Sequence, residues 1–302
     1  MKSFKLTISY REVFTIVTHH YPSARNLKEI NMGELSMVYT FDTQEGPHVI
    51  HLRLDQEGLI RNKWISDHYA SHLPIPRIVG PFEKQGVFYT FSERMRGKPV
   101  SSFTKNEQLI IARDLADCYS SMVNVKTGAT FGLFGDQSVY QSWTDLLESF
   151  FTESTDGFYA NWTTLFHHGI LEEHVFQKGY EKMIERTHFA PEQPFLVHGD
   201  FHLGNMMATK NKVTGLLDWE LAMRGDFMFD VAGLHFWSPD LQFPTMIQET
   251  WAAKGIAIPH FEERLNAGLL FKAVDGLRFY AKQEHQAAYH YMKQRMYELI
   301  DA

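Results

Sequence analysis

The spacing of hydrophobic and polar residues changes along the chain. Up to about residue 95, apolar and polar residues mostly alternate or form short apolar runs bounded by Gly and Pro, which predicts strands. Two segments of this part repeat at helical spacing instead, residues 8–20 and 58–70. The predicted strands lie at 34–41, 48–54, 77–80 and 87–91. The first part of the chain is therefore predicted to be mostly β.

Beyond residue 99 the apolar spacing becomes helical. Leu265 begins a stripe that recurs every four residues up to Leu277, which predicts one buried helix face. Similar stripes fall within 109–123 and 143–150. The strand-like pieces of this part are confined to one island at 195–220, so the second part is predicted to be mainly helical.

Turn-forming residues at 92–99 indicate a linker between the two parts. We therefore predict an α+β fold with a small β-rich N-lobe at 1–95 and a larger, mainly helical C-lobe at 96–302. A cleft is expected between two such lobes, and clefts of this kind bind small ligands.

Composition narrows the class of protein. The chain has 302 residues, 44% of them hydrophobic, which suffices for a large buried core. A formal net charge of -7 argues against a protein that binds nucleic acid by neutralising phosphates. Cys118 is the single cysteine, and neither an apolar leader nor an apolar run of about 18 residues is present. We expect a cytoplasmic protein without a membrane span.

The island carries the candidate chemistry. It reads H-G-D-F-H-L-G-N at 198–205 and L-L-D-W-E at 216–220. The apolar run at 195–197 stops at His198-Gly199-Asp200. The carboxylate of Asp200, just past a buried strand, can accept the proton of a substrate hydroxyl at the edge of a cleft. Asn205 and Asp218 offer the hard oxygen ligands that Mg²⁺ prefers. One base and two metal ligands are suited to phosphoryl transfer, which depends on positioning and charge neutralisation.

The island has two other interpretations. Asp and Asn after strands are often turn formers without chemistry, but the combined pattern of both segments disfavours this interpretation. The second interpretation is a hydrolase that holds Zn²⁺ or Fe with His198, His202 and Asp218. Gly199 and Gly204 disfavour the helix that would align the two histidines. Neither a P-loop nor a Rossmann glycine pattern occurs in the chain.

At these residues a family resemblance becomes visible. The motif at 198–205, the L-D-W-E at 217–220 and the R-G-D-F-M-F-D-V-A at 224–232 resemble the aminoglycoside phosphotransferase and choline kinase superfamily. Flanking segments are similar to the hygromycin-type members, and the resemblance spans nearly the whole chain. These flanking segments lie at 33–41, 70–76, 131–143 and 218–237.

The resemblance implies a protein-kinase-like fold and a Mg²⁺-dependent transfer of phosphate from ATP or GTP to a hydroxyl of a small molecule. By position, Asp200 is the catalytic base and His198 braces its loop. Asn205 and Asp218 are the implied metal ligands. Asp226, near a helix start, and Asp230, which would hold the catalytic loop, are implied to be scaffold. The implied nucleotide-binding residues are Arg53, Gly33, Ser36, Glu93 and Met95.

Two positions depart from the family pattern. Arg53 stands where the phosphate-binding lysine is usual, and an arginine can bind phosphate as well. Asn62 stands where the helical glutamate that pairs with that lysine is expected, so the usual ion pair is missing. The partner of Arg53 is left open between Asp55, Glu57 and none.

The acceptor is the least determined feature. A polycationic aminoglycoside would be bound by carboxylates of the protein, whereas aromatic side chains suit a choline-like or macrolide ligand. We favour an aminoglycoside-type aminocyclitol, which would connect the protein with antibiotic resistance. The alternatives are a metabolic kinase for choline, homoserine, methylthioribose or a sugar, and a catalytically inactive kinase-like binding module. The candidate acceptor residues are Glu220, His202, Trp237, Asp240 and Asp275.

Overall fold

The computed structural model describes residues 6, 8–30, 36–155 and 157–301. Its contacts divide the chain into two compact units. The first comprises the residues up to 118 together with 203–222, and the second comprises 119–202 together with 223 onward. The chain therefore leaves the second unit between His202 and Leu203 and returns to it after Ala222. The segment carrying Asn205 and Asp218 belongs to the first unit.

The helices confirm the helical segments read from the spacing of apolar residues. Each predicted stripe falls on a helix. Most of the helices lie in the second half of the chain. Their bounds are α1 Tyr10–His20, α2 Glu57–Tyr69, α3 Lys105–Val123, α4 Trp143–Ser149, α5 Thr164–His167, α6 Glu173–Thr187, α7 Met228–Trp237, α8 Phe243–Ala252, α9 Phe261–Lys282 and α10 Gln286–Ile300.

Eleven strands occur in the described residues. They form one five-stranded sheet and two sheets of three short strands. Their bounds are β1 Arg25–Ile30, β2 Met37–Asp42, β3 Pro47–Arg53, β4 Ile78–Lys84, β5 Val87–Glu93, β6 Lys98–Pro99, β7 Gly132–Leu133, β8 Phe195–Val197, β9 Met206–Thr209, β10 Lys212–Leu216 and β11 Met223–Gly225.

The first unit is built on the five-stranded antiparallel sheet, in the order β1-β2-β3-β5-β4. Four of its strands were predicted. The missed strand, β1, lies at the sheet edge and is mostly exposed, so its sequence R-N-L-K-E-I shows only one clearly buried position. Arg53 ends the third strand in this order, opposite Phe88. The sheet therefore places Arg53 where its third strand leads into α2.

Helix α1 packs into the core of the first unit. α1 begins with a capping box in which Ser9 and Glu12 satisfy each other's backbone N–H groups, and it buries Val13, Ile16 and Val17 in the core that includes the sheet. A second, small sheet joins β10, β9 and β6. This small sheet fixes the hairpin that lies between Asn205 and Asp218.

The second unit is organised around α9. The predicted stripe on this helix is buried at all four positions, Leu265, Leu269, Ala273 and Leu277. Helices α6, α7 and α10 pack against α9. A sheet of three short strands, β7-β11-β8, completes this unit and leads into the loop of Asp200. β7 was not predicted, because a strand of two residues shows no period.

The predicted α+β, protein-kinase-like class is confirmed by a β-rich N-terminal part and a helical C-terminal part. In the described part of the chain, no helix combines the length and the apolar character needed to cross a membrane.

Candidate active site

The loop that follows β8 is held by a buried carboxylate. His198 N donates to Asp230 Oδ2 at 2.7 Å, and Gly199 N donates to Asp230 Oδ1 at 2.9 Å. Asp230 lies in α7 and is 1% exposed. Burial raises the pKa of Asp230 to about 7, against the opposing effect of these two N–H donors. The structure thus places Asp230 as predicted, holding the loop that presents Asp200.

Asp200 is the partly exposed acid of this loop, with 43% of its side chain accessible. Its backbone N donates to His198 Nδ1 at 3.3 Å, and His202 Nε2 lies 3.4 Å from its Oδ2. Burial alone would raise the pKa of Asp200, but His202, Lys272 and His198 together lower it to about 2. Asp200 is therefore a carboxylate near neutral pH and can accept a proton.

His198 is 1% exposed, and its Nδ1 is engaged inside the turn by the Asp200 backbone. Such a bond within the turn fits the bracing role that the resemblance implies for His198. Among the described residues, no group of three or more His, Cys, Asp or Glu side chains is arranged to hold a metal ion.

In the first unit, a backbone bond joins the two segments that carry the predicted metal ligands. Leu217 N donates to Asn205 O at 2.8 Å, directly before Asp218. Asn205 is buried, and Asp218 has a left-handed backbone with φ of 62°. Both side chains carry oxygen donors of the type that binds Mg²⁺. This donor set fits a magnesium ion whose remaining ligands come from phosphate and water.

Asn62 holds the segment that follows Asp218. Trp219 N donates to Asn62 Oδ1 at 2.6 Å, and Asn62 Nδ2 donates to Gly58 O at 3.1 Å within α2. Asn62 is 6% exposed, so both bonds are shielded from water. Asn62 therefore attaches α2 to the D-W-E segment.

Arg53 has two acidic partners. Its Nε and Nη2 donate to Asp55 Oδ2 at 3.2 and 3.1 Å, and its Nη1 donates to the Glu220 carboxylate. A Cβ at Gly58 would lie 2.7 Å from Glu220 Oε2, so a side chain there would displace the carboxylate that pairs with Arg53. Asp55 was among the expected partners. Glu220 was not, because it lies 167 residues away in sequence.

Glu220 was predicted to contact the acceptor, and the structure shows its carboxylate paired with Arg53. Arg61 also donates to the Glu220 carbonyl oxygen. The D-W-E segment is thus attached to β3 through Arg53 and to α2 through Asn62 and Arg61.

The remaining nucleotide candidates lie on the first unit. Glu93 ends β5, and its Oε1 accepts from Arg77 N at 3.0 Å. Met95 packs against the backbone of β10 at Gly215. Ser36 is partly exposed immediately before β2, and Gly33 lies outside the described residues.

Three acceptor candidates lie on or near two helices of the second unit. Trp237 ends α7 and is 48% exposed, and Asp240 follows it in a short 3₁₀ helix. Asp275, on α9, lies 2.6 Å from Arg278 Nη2 and keeps 32% of its side chain exposed. The Asp275 carboxylate is therefore paired with a buried arginine and remains partly exposed.

Comparison with known proteins identifies the family of the chain. A family model described as the phosphotransferase enzyme family matches residues 49–265, which is more than half of the chain. The chain belongs to this family. Its sequence is 27% identical over 249 residues to hygromycin-B 4-O-kinase of Escherichia coli, covering 79% of this chain and 70% of that relative. It is therefore a phosphotransferase, and the resemblance to hygromycin-type members is confirmed.

Solved structures of aminoglycoside phosphotransferases share the fold of this phosphotransferase. APH(4)-Ia matches with a TM-score of 0.80 at 20% identity, over 97% of this chain and 99% of that chain. A thermostable APH(4)-Ia mutant in ternary complex with AMP-PNP and hygromycin B matches with a TM-score of 0.79 at 21% identity, over 96% and 98% of the two chains. ADP-bound APH(2'')-Ib matches with a TM-score of 0.64 at 15% identity, over 97% and 99%.

Proposed function

We propose that this phosphotransferase moves the terminal phosphoryl group of ATP or GTP to a hydroxyl group of an aminoglycoside-type aminocyclitol. The observation that carries the proposal is Asp200, an ionised and partly exposed carboxylate on a loop fixed by Asp230. The acceptor class is supported by the hygromycin-B 4-O-kinase relative and by the ternary complex of APH(4)-Ia with hygromycin B. Such a reaction would inactivate an antibiotic.

Asp200 acts on the acceptor in this proposal. Its carboxylate accepts a hydrogen bond from the hydroxyl group and orients the oxygen toward the terminal phosphorus. The new O–P bond forms as the bond to the bridging oxygen breaks, and the nucleoside diphosphate leaves with that oxygen. The hydroxyl proton passes to Asp200 late in the reaction. His198 braces the turn that holds this carboxylate, and His202 contacts the acceptor beside it.

Asn205 and Asp218 would hold Mg²⁺ in the bound enzyme. The ion supplies neutralisation of the charge on the phosphate oxygens. The chain supplies the fixed spacing of the two ligands, through the bond from Leu217 N to Asn205 O and the bond from Trp219 N to Asn62.

We assign the nucleotide to residues 1–95 and the acceptor mainly to residues 96–302. Arg53 contacts the phosphates, and the backbone near Glu93 and Met95 reads the base, so either ATP or GTP is compatible with the side chains. Asp275, Asp240 and Trp237 are the proposed acceptor contacts on the second unit. We place the reaction in the cytoplasm. The nucleotide and the acceptor are small molecules, and neither nucleic acid nor a membrane is a proposed partner.

An NTP-consumption screen tests the proposal. Purified protein is supplied with ATP or GTP and Mg²⁺ against hygromycin-type and other aminoglycosides, macrolides, choline, homoserine and sugars, and each product is identified by mass spectrometry. Turnover of an aminocyclitol supports the proposal, and turnover of choline, homoserine, methylthioribose or a sugar alone assigns a metabolic kinase. Nucleotide binding without turnover of any acceptor would indicate an inactive binding module.

Replacing Asp218 by alanine should remove the Mg²⁺ dependence of nucleotide binding. The carboxylate is the charged member of the proposed pair of ligands, so its loss leaves only the neutral oxygen of Asn205. Isothermal titration of AMP-PNP at increasing Mg²⁺ concentration measures the effect. Asp67→Ala, which removes an exposed carboxylate of α2 in the same unit, should keep the dependence. An unchanged Mg²⁺ titration in the Asp218 variant would refute its role.

Replacing Arg53 by alanine should weaken nucleotide binding about tenfold or more, because a hydrogen bond to a charged group contributes about 1.5–3 kcal/mol. Arg53→Lys keeps the charge but loses the forked guanidinium group that bonds both Asp55 and Glu220. Its nucleotide affinity should therefore lie between those of the unchanged protein and the alanine variant. Titration with MgAMP-PNP measures both. Equal affinity in the alanine variant and the unchanged protein would assign phosphate binding to another cation.

A further inference from the structure

A lysine of α9 reaches the loop of Asp200 within the second unit. Lys272 Nζ donates to Gly199 O at 3.3 Å. The backbone N–H of the same residue is also bonded, because Gly199 N donates to Asp230. Residue 199 therefore has both of its backbone polar groups fixed by charged side chains from two different helices, immediately before Asp200.

The path of Lys272 to this loop depends on a glycine of α7. An ideal Cβ on Gly233 would lie 3.3 Å from Lys272 Cε and 3.8 Å from its Nζ. The ammonium group also lies 4.4 Å from the centre of the Phe229 ring, one turn earlier on α7. A larger residue at 233 would push the lysine stem away. The position of the Lys272 side chain therefore depends on residues of α7 as well as on α9.

Three carboxylates act electrostatically on the ammonium group of Lys272. Burial lowers its pKa, while Asp200, Asp275 and Asp230 act in the opposite direction and favour the ammonium form. Asp200 in turn feels Lys272 together with His202 and His198. The charge of Lys272 therefore acts electrostatically on the proposed base, on the acid that holds the loop and on an acceptor candidate.

We propose that Lys272 is a positioning residue for phosphoryl transfer, which fixes the Gly199 carbonyl and, through this contact and its charge, directs the carboxylate of Asp200. This role rests on the proposed function of Asp200. The lysine itself touches neither nucleotide nor acceptor in this role. Its effect should therefore fall on the rate of the chemical step and not on nucleotide affinity.

The test compares three variants. Lys272→Met keeps the length of the side chain and loses the charge, and Lys272→Arg keeps the charge. The matched control is Lys282→Met, because Lys282 lies at the end of the same helix and also donates to a backbone carbonyl, that of Ala160. Each variant is assayed with an acceptor that the unmodified enzyme turns over, and MgAMP-PNP affinity is measured in parallel.

We expect Lys272→Met to lower kcat on the order of 10- to 100-fold, because small misplacement of a catalytic group has effects of this size. The nucleotide Kd should stay within twofold, Lys272→Arg should recover part of the rate, and Lys282→Met should retain it. Equal kcat in Lys272→Met and Lys282→Met would overturn the proposal. So would a loss in Lys272→Met that Lys272→Arg does not relieve.

A second measurement does not depend on turnover. The Asp200 carboxyl group is titrated by ¹³C NMR in the unmodified protein and in Lys272→Met. Loss of the cation should move the Asp200 pKa upward from about 2, with His198 and His202 of the same loop and Asp230 of α7 left in place. An unchanged titration overturns the role of Lys272. Failure of every acceptor in the screen, with this shift present, overturns the proposed reaction and leaves the positioning contact standing.

Discussion

Replacing Asp200 by alanine or asparagine is expected to reduce phosphoryl transfer about 10²- to 10⁴-fold, while nucleotide binding stays largely intact. The reason is local. Asp200 is held as a carboxylate by His202, Lys272 and His198, and it is not among the residues proposed to contact the nucleotide or the metal. Steady-state assays with a turned-over acceptor give the rate, and titration with MgAMP-PNP gives the affinity.

Two comparisons sharpen this prediction. Asparagine at 200 keeps the size of the side chain, so its loss of rate reports on the missing base and not on a cavity. Asp136→Asn changes an exposed aspartate of the same unit and should retain full activity. Full activity in either Asp200 variant would mean that another group accepts the proton.

Replacing Arg264 by methionine should destabilise the protein by about 3–5 kcal/mol, because it leaves a buried carboxylate without its partner. Arg264 Nη2 and Nε donate to the two oxygens of Asp226 at 2.6 and 2.9 Å, and both side chains are at most 5% exposed. Chemical denaturation followed by tryptophan fluorescence measures the change in the free energy of unfolding.

An exposed ion pair provides the control for this stability experiment. Lys182 and Glu185 lie 2.9 Å apart on the surface of α6, and Lys182→Met should change stability by about 0–1 kcal/mol. If the Arg264 variant were as stable as this control, the buried pair would contribute nothing to the fold. Combining Arg264→Met with Asp226→Leu removes both charges and should restore much of the loss.

The buried pair also bears on the site. Asp226 Oδ1 accepts from Met228 N at the start of α7, and α7 carries Asp230. Arg264 lies in the first turn of α9, which carries Lys272. The same ion pair therefore ties together the beginnings of the two helices that fix Gly199 and, through it, Asp200.

Features that depend on neighbouring residues could be predicted from the sequence. The proposed roles of Asp200, Asn205 and Asp218 come from two short motifs, and the helices follow from apolar spacing. Asp230 was assigned to the loop through family resemblance, and its bonds to His198 and Gly199 agree with that assignment. β1 escaped prediction because an exposed edge strand shows little apolar alternation.

Partners distant in the chain could not be predicted. The pairing of Arg53 with Glu220 spans 167 residues, and the bond from Trp219 to Asn62 spans 157. No sequence pattern indicated a role for Lys272, since a lysine on an amphipathic helix ordinarily points to water. Its glycine neighbour Gly233 becomes meaningful only when α7 and α9 are packed together. Charge and residue type alone cannot specify which distant groups the fold brings into contact.

The left-handed backbone of Asp218 has a consequence for engineering. A non-glycine residue in this region costs about 1–2 kcal/mol, and the bonds of Leu217 and Trp219 on either side keep it there. Glycine would relieve that strain and also delete the carboxylate proposed to bind Mg²⁺. Selection for heat resistance alone would therefore enrich inactive variants at this position, and libraries built for thermostability need an activity filter to retain aspartate.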